Sequence, residues 1–147
     1  METKYKTELK EASKLIRDAN LSFNIRDERK YFNSALEVLD KILRQEPDYL
    51  PAKFLKARAT REPYEKRKLL IELLNFKPKT RIRTATLYFD LAETYYSLLL
   101  SSQDISYKEK AIYYADKSIS TKPDNNQIFS GAVELLIDLV PPFPPFN

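Results

Sequence analysis

An all-α fold is what this sequence predicts, on three observations. Apolar residues recur at spacings of three and four along nearly the whole chain, the repeat of a helix with one buried face. Prolines follow several of these stretches by a few residues, where a ring lacking an N–H stops a helix. No run alternates apolar and polar residues for long enough to make a strand. The pattern predicts seven helices, at about 5–24, 28–46, 50–60, 63–76, 82–101, 107–121 and 125–140.

Each helix has its own signal. The first carries Ile16, Ala19 and Phe23 at helical spacing, and the second has the stripe Ala35, Leu36, Leu39, Ile42 and Leu43, closed by Pro47. Asp48 is the expected cap of the third, with Pro51 tolerated in its first turn. Pro63 opens the fourth, whose Leu69, Leu70, Leu73 and Leu74 run up to Pro78. Thr80 is the expected cap of the fifth. Ser106-Tyr107-Lys108-Glu109 reads as a capping box for the sixth, followed by Ala111, Ile112, Ala115 and Ile119 and closed by Pro123. Asp124 is the expected cap of the seventh, which carries Phe129, Ala132, Val133 and Leu136.

Composition excludes most chemistry. The chain has 147 residues, a single domain's length, with 43% hydrophobic and 31% charged residues, the balance of a globular protein. It has no His, no Cys and no Trp, and its one glycine is Gly131. Without His or Cys there is no Ser-His-Asp or Cys-His triad, zinc finger, thiol redox centre or disulfide. One glycine cannot build a GxGxxG or GxxxxGK[ST] phosphate loop, which needs several residues free of Cβ. A non-enzymatic protein without cofactor or metal is therefore expected. The charged start and the lack of any apolar window of about 20 residues predict neither signal peptide nor membrane span, and a cytoplasmic location is expected. One helical domain is expected over 1–140, followed by a proline- and phenylalanine-rich tail over 141–147.

Charge is polarised along the chain. Residues 1–52 are neutral overall, and residues 84–147 carry net −4. Residues 53–83 hold 11 basic side chains against three acidic ones, net +8. Two readings stand side by side: a docking surface for an acidic partner, or charged helix faces that simply face water. The basic docking patch on the first reading is Lys66, Arg67, Lys68, Lys77, Lys79, Arg81 and Arg83.

Internal repeats carry the strongest signal. Ala35-(x)3-Leu39-(x)7-Pro47 and Ala111-(x)3-Ala115-(x)7-Pro123 share one spacing, and Leu70-(x)7-Pro78 shares its second half. Before and after the last of these full repeats stand Tyr88-(x)2-Leu91-Ala92-(x)2-Tyr95 and Phe129-(x)2-Ala132-Val133-(x)2-Leu136. The pattern resembles the tetratricopeptide repeat (TPR), in which a small residue lets helices A and B approach and a proline turns the chain into the next repeat. The third repeat matches best, with an insertion from Ser97 to Ser106 between its helices. The first fits through Ile16-(x)2-Ala19-Asn20-(x)2-Phe23. The resemblance spans about residues 9–138 and implies a right-handed α-solenoid of antiparallel helix pairs, three degenerate repeats plus a capping helix.

What the resemblance implies for function is a groove, lined by the A helices, that holds a peptide or helix of another protein. Carried over position by position, the groove residues are Arg17 and Leu21, then Phe54, Arg58 and Arg61, then Phe89, Glu93 and Tyr96. Phe54 and Phe89 are equally readable as core. Chaperone-binding TPR domains grip carboxylates with a lysine, asparagine and arginine clamp; here Leu55, Thr86 and Asp90 stand at three of its positions, so that activity is not expected. Asp90 with Glu93, and Glu134 with Asp138, are acidic pairs on helix faces, read as solvated or ion-paired surface. Tyr95, Tyr96, Tyr113 and Tyr114 are expected to pack the third repeat with their hydroxyls at the surface. Phe143 and Phe146 of the PPFPPF tail are readable as a built-in ligand, as packing on the last helix, or as linker. The expected function is a scaffold, adaptor or small chaperone that binds a peptide or helix, acidic on the docking reading. The alternative is an RNA-binding helical-repeat protein that uses the basic 53–83 region, though aromatics for base stacking are few there.

Overall fold

Among the described residues seven α-helices form close to where the apolar spacing places them, and there is no strand. The computed structural model describes residues 4–76, 81–121 and 126–140. The helices are α1 (Lys6–Asn20), α2 (Ile25–Gln45), α3 (Leu50–Ala59), α4 (Pro63–Asn75), α5 (Arg81–Ser102), α6 (Ser106–Ser120) and α7 (Asn126–Leu139). The chain divides into two units, residues 1–62 and 63–147.

The first unit is built from α1, α2 and α3, each packed on the other two. Its core has two apolar clusters. Tyr5, Ala12, Leu39, Ile42 and Ala52 make one, and Ile16, Ala19, Phe32, Ala35 and Ala59 make the other, with Leu55 packed against both. Ala12, Ala35, Ala52 and Ala59 are wholly buried, so small side chains stand where the helices approach most closely. The start of α3 is fixed by an edge-to-face pair, Tyr5 and Tyr49, with ring centroids 5.2 Å apart.

In the second unit α5 is the central helix, packed on α4, α6 and α7, while α7 also packs on α6. That position explains why α5 buries Leu87, Leu91, Ala92, Tyr95 and Leu98 together with Thr86, Asp90 and Thr94. Two of the buried hydroxyls are satisfied by backbone: Thr94 Oγ1 donates to the Asp90 carbonyl at 2.7 Å, and Ser118 Oγ of α6 donates to the Ala85 carbonyl at 2.9 Å.

Local chemistry moves several helix ends from where the sequence pattern sets them. Asp48 does not cap α3; the cap residue is Tyr49, and the Asp48 carboxylate instead pairs with Lys53 at 3.5 Å. Ser106 does not act as a capping acceptor either. Its Oγ and its backbone N–H both donate to Asp104 Oδ1, at 2.8 and 3.0 Å, so the carboxylate two residues earlier organises the start of α6. The expected caps Thr80 and Asp124 lie outside the described residues. The expected insertion between α5 and α6 is mostly helix: α5 runs on to Ser102 and leaves a short turn in which Gln103 takes a φ of 60°. α1 ends at Asn20, because Asn24 caps α2 with its Oδ1 accepting from the Asp27 N–H at 2.8 Å. Phe23 therefore sits in the turn, fully exposed, and not on the buried face of the first helix.

Candidate functional site

In the first unit a cleft of about 330 Å³ lies between α2 and the end of α3. Phe32, Leu36 and Ala59 supply its apolar surface, and Arg29, Asn33, Thr60, Arg61 and Glu62 its polar lining. Arg29, Asn33 and Leu36 share one face of α2, one helical turn apart. At the other wall α3 ends on Thr60, whose Oγ1 donates to the Lys56 carbonyl at 2.7 Å. The chain then turns Arg61 back over α2. Its guanidinium carbon lies 4.1 Å from the centroid of the Phe32 ring, and its Nη2 donates to the Arg58 carbonyl at 3.0 Å. The result is an apolar lining with the held Arg61 and the exposed Arg29 at its edge, an arrangement suited to an apolar side chain with a carboxylate close by.

The A-helix residues expected to bind a partner are placed as follows. In the first unit Arg17 and Leu21 are exposed at the end of α1, and Phe54 and Arg58 are half-buried one turn apart on α3. Arg61 joins Arg58 through the hydrogen bond above. In the second unit Phe89 is half-buried against Gly131 of α7, Glu93 is exposed and Tyr96 is half-buried. Leu55, Thr86 and Asp90, which stand where chaperone-binding domains carry their clamp, are all buried or half-buried. Asp90 and Glu93 are not a surface pair: the first is 3% exposed and the second faces out. Glu134 and Asp138 are both exposed, as expected.

The basic patch is only partly in view. Lys66 is half-buried and Lys68 exposed, while Lys77, Lys79, the side chains of Arg81 and Arg83, and the tail residues Phe143 and Phe146 lie outside the described ones. Arg67 is drawn into an aromatic cluster of the second unit. Its guanidinium lies 5.3 Å from the centroid of Tyr64 and 5.9 Å from those of Tyr95 and Tyr107. Tyr95 stacks on Tyr114 at 5.6 Å with planes 6° apart, and Tyr114 stacks on Tyr88 at 6.0 Å. Burial pushes the Tyr95 hydroxyl above its ordinary pKa, with the Arg67 charge acting against it. Burial also raises Tyr114, helped by Tyr95, Tyr113 and Tyr88.

Among the described residues no group of acidic side chains converges as a metal site requires, and no helix is long and apolar enough to cross a membrane. No protein-family model matches the chain, and a search of curated proteins finds no relative. Function therefore rests on the site itself. The cleft residues Arg29, Phe32, Asn33 and Leu36 lie on α2, away from the positions the repeat resemblance implies. The sequence signal that marks them is the one-turn spacing of Arg29, Asn33 and Leu36 around an aromatic residue.

Proposed function

We propose that the chain is a non-enzymatic interaction module, a scaffold, adaptor or small chaperone built from TPR-like helix pairs. Its first unit would bind a partner peptide that carries an apolar side chain next to an acidic one. The observation that carries this reading is the cleft: an apolar floor of Phe32, Leu36 and Ala59 with Arg29 and Arg61 at its edge. The apolar side chain supplies contact area, and an arginine fork meets the neighbouring carboxylate in bidentate fashion.

The helix-pair reading draws support from a packing pattern that occurs twice. In the first unit α3 packs on both members of the pair α1 and α2, and in the second α7 packs on both members of the pair α5 and α6. Stacked repeats bury their faces in this way, each A helix resting on the pair before it. Against the nucleic-acid alternative stands Arg67, the middle residue of the Lys66-Arg67-Lys68 run, held among three tyrosine rings.

The test is capture from lysate by the tagged chain, with and without nuclease, beside a chain carrying Arg58→Glu and Arg61→Glu. A protein partner retained through nuclease and lost on the variant supports the reading. Nuclease-sensitive nucleic acid as the bound material overturns it in favour of the basic region.

A further inference from the structure

The turn between α1 and α2 holds three large apolar side chains out to solvent. Leu21 is 70% exposed, Phe23 105% and Ile25 67%, and they are the exposed large hydrophobic residues among the described part of the first unit. Every other large apolar side chain described there is at least half-buried, so the exception is concentrated in five consecutive positions. The turn that presents them is well fixed. Leu21 N–H donates to the Arg17 carbonyl at 3.1 Å, Ser22 N–H to Ala19 at 3.2 Å, and Ser22 Oγ to Asp18 at 2.8 Å. On the other side Asn24 caps α2 and its Nδ2 donates to Asp27 Oδ2 at 3.0 Å. None of the three belongs to, or packs against, either apolar cluster of the first unit, so the described core gives no reason for them.

The surroundings point to what covers them. Arg17 and Lys14 are exposed on the last two turns of α1, and Arg26 and Lys30 on the first two turns of α2. With Arg29, also exposed, five cations thus flank the turn against Asp18, Asp27 and Glu28, a net charge of +2 over residues 14–30. A convex apolar tip with a cationic collar complements a soft anionic surface better than it complements a second copy of the chain. Three side chains offer a few hundred Å² on one chain, short of the roughly 800 Å² per partner that a specific protein–protein contact buries.

We propose that this turn docks the first unit onto an anionic lipid surface, with Leu21, Phe23 and Ile25 entering the interfacial layer and the cations resting on the headgroups. Shallow apolar insertion and attraction to acidic lipid together give reversible binding that neither gives alone. The attraction fades with salt, because the collar is exposed and acts within a Debye length of the surface.

The chain lacks tryptophan, so Phe23→Trp in the full chain gives a single reporter at the tip. It is to be mixed with vesicles of phosphatidylcholine alone and of phosphatidylcholine with phosphatidylserine. The expected result is a blue shift of tryptophan emission on the phosphatidylserine vesicles, reversed by added salt. Co-sedimentation of the unmodified chain with the same vesicles should fall by about tenfold with Phe23→Asp, and fall also with Arg17→Glu and Arg26→Glu together. No shift and no co-sedimentation on either vesicle overturns the proposal, as does equal binding to both. A blue shift without vesicles that grows with protein concentration also overturns it, and assigns the tip to self-association.

Discussion

Gly131 of α7 lies so close beneath the Phe89 ring of α5 that a Cβ on it would stand 2.6 Å from Phe89 Cζ and 2.8 Å from Cε1. Glycine is kept here for room, in a helix where it is otherwise unfavourable. Gly131→Ala gains up to about 1 kcal/mol in helix propensity but overpacks the ring by roughly 1–3 kcal/mol. We expect a net loss of about 1 kcal/mol, read by urea denaturation. Phe89→Leu in the same chain should turn that loss into a gain, since the obstruction is gone.

Arg61 over Phe32 separates stability from binding. Arg61→Met keeps the aliphatic stem and removes the charge, so stability should fall by less than about 1 kcal/mol. Capture of an acidic partner should weaken at least severalfold. Phe32→Ala, by contrast, empties a site that is 2% exposed and should cost about 3–5 kcal/mol. Thermal melts beside capture assays distinguish the two.

The raised pKa values of Tyr95 and Tyr114 set an alkaline limit. The folded state holds both protons more tightly than the unfolded chain, whose tyrosines titrate near 10. Their contribution is complete below about pH 10 and is lost as pH rises through the folded values. Denaturation followed from pH 8 upward should show a decline that begins near pH 10, and Tyr114→Phe should make it shallower. A decline unchanged in that variant would place the sensitive groups elsewhere.

Asp104 acts in the opposite sense. The Ser106 hydroxyl and N–H donate to it and hold its carboxyl below the usual aspartate value. Its contribution is present above the ordinary range near 3.8 and disappears as pH falls through the depressed folded value. Asp104→Ala should lower the melting temperature at neutral pH and make the first turn of α6 exchange its amide hydrogens faster. Near pH 2 the difference from the unmodified chain should shrink.

The helices were legible because a buried stripe at spacing three and four cannot be read as anything else at these lengths. What the pattern misplaced were ends, decided by single acceptors. Asp104 outcompetes Ser106 because a carboxylate is the stronger acceptor of the two. Asn24 starts α2 at Ile25, ahead of the start near residue 28 that the apolar pattern sets, and so leaves Phe23 outside the first helix. The stretch after Ser97 contains neither glycine nor proline before Gln103, and α5 simply continues through it. The cleft was not legible, since Arg29 and Phe32 meet Ala59 and Arg61 only once α2 and α3 are packed.

The stacked tyrosines have an optical consequence. Of ten tyrosines and no tryptophan, seven lie in residues 63–147 and three in residues 1–62. Near-ultraviolet dichroism of the chain is therefore tyrosine dichroism, and the near-parallel rings of Tyr95 and Tyr114 couple their transitions. Loss of that coupled signal would time the melting of the second unit. The edge-on pair of Tyr5 and Tyr49 would mark the first, so the two units can be watched unfolding separately without any added dye.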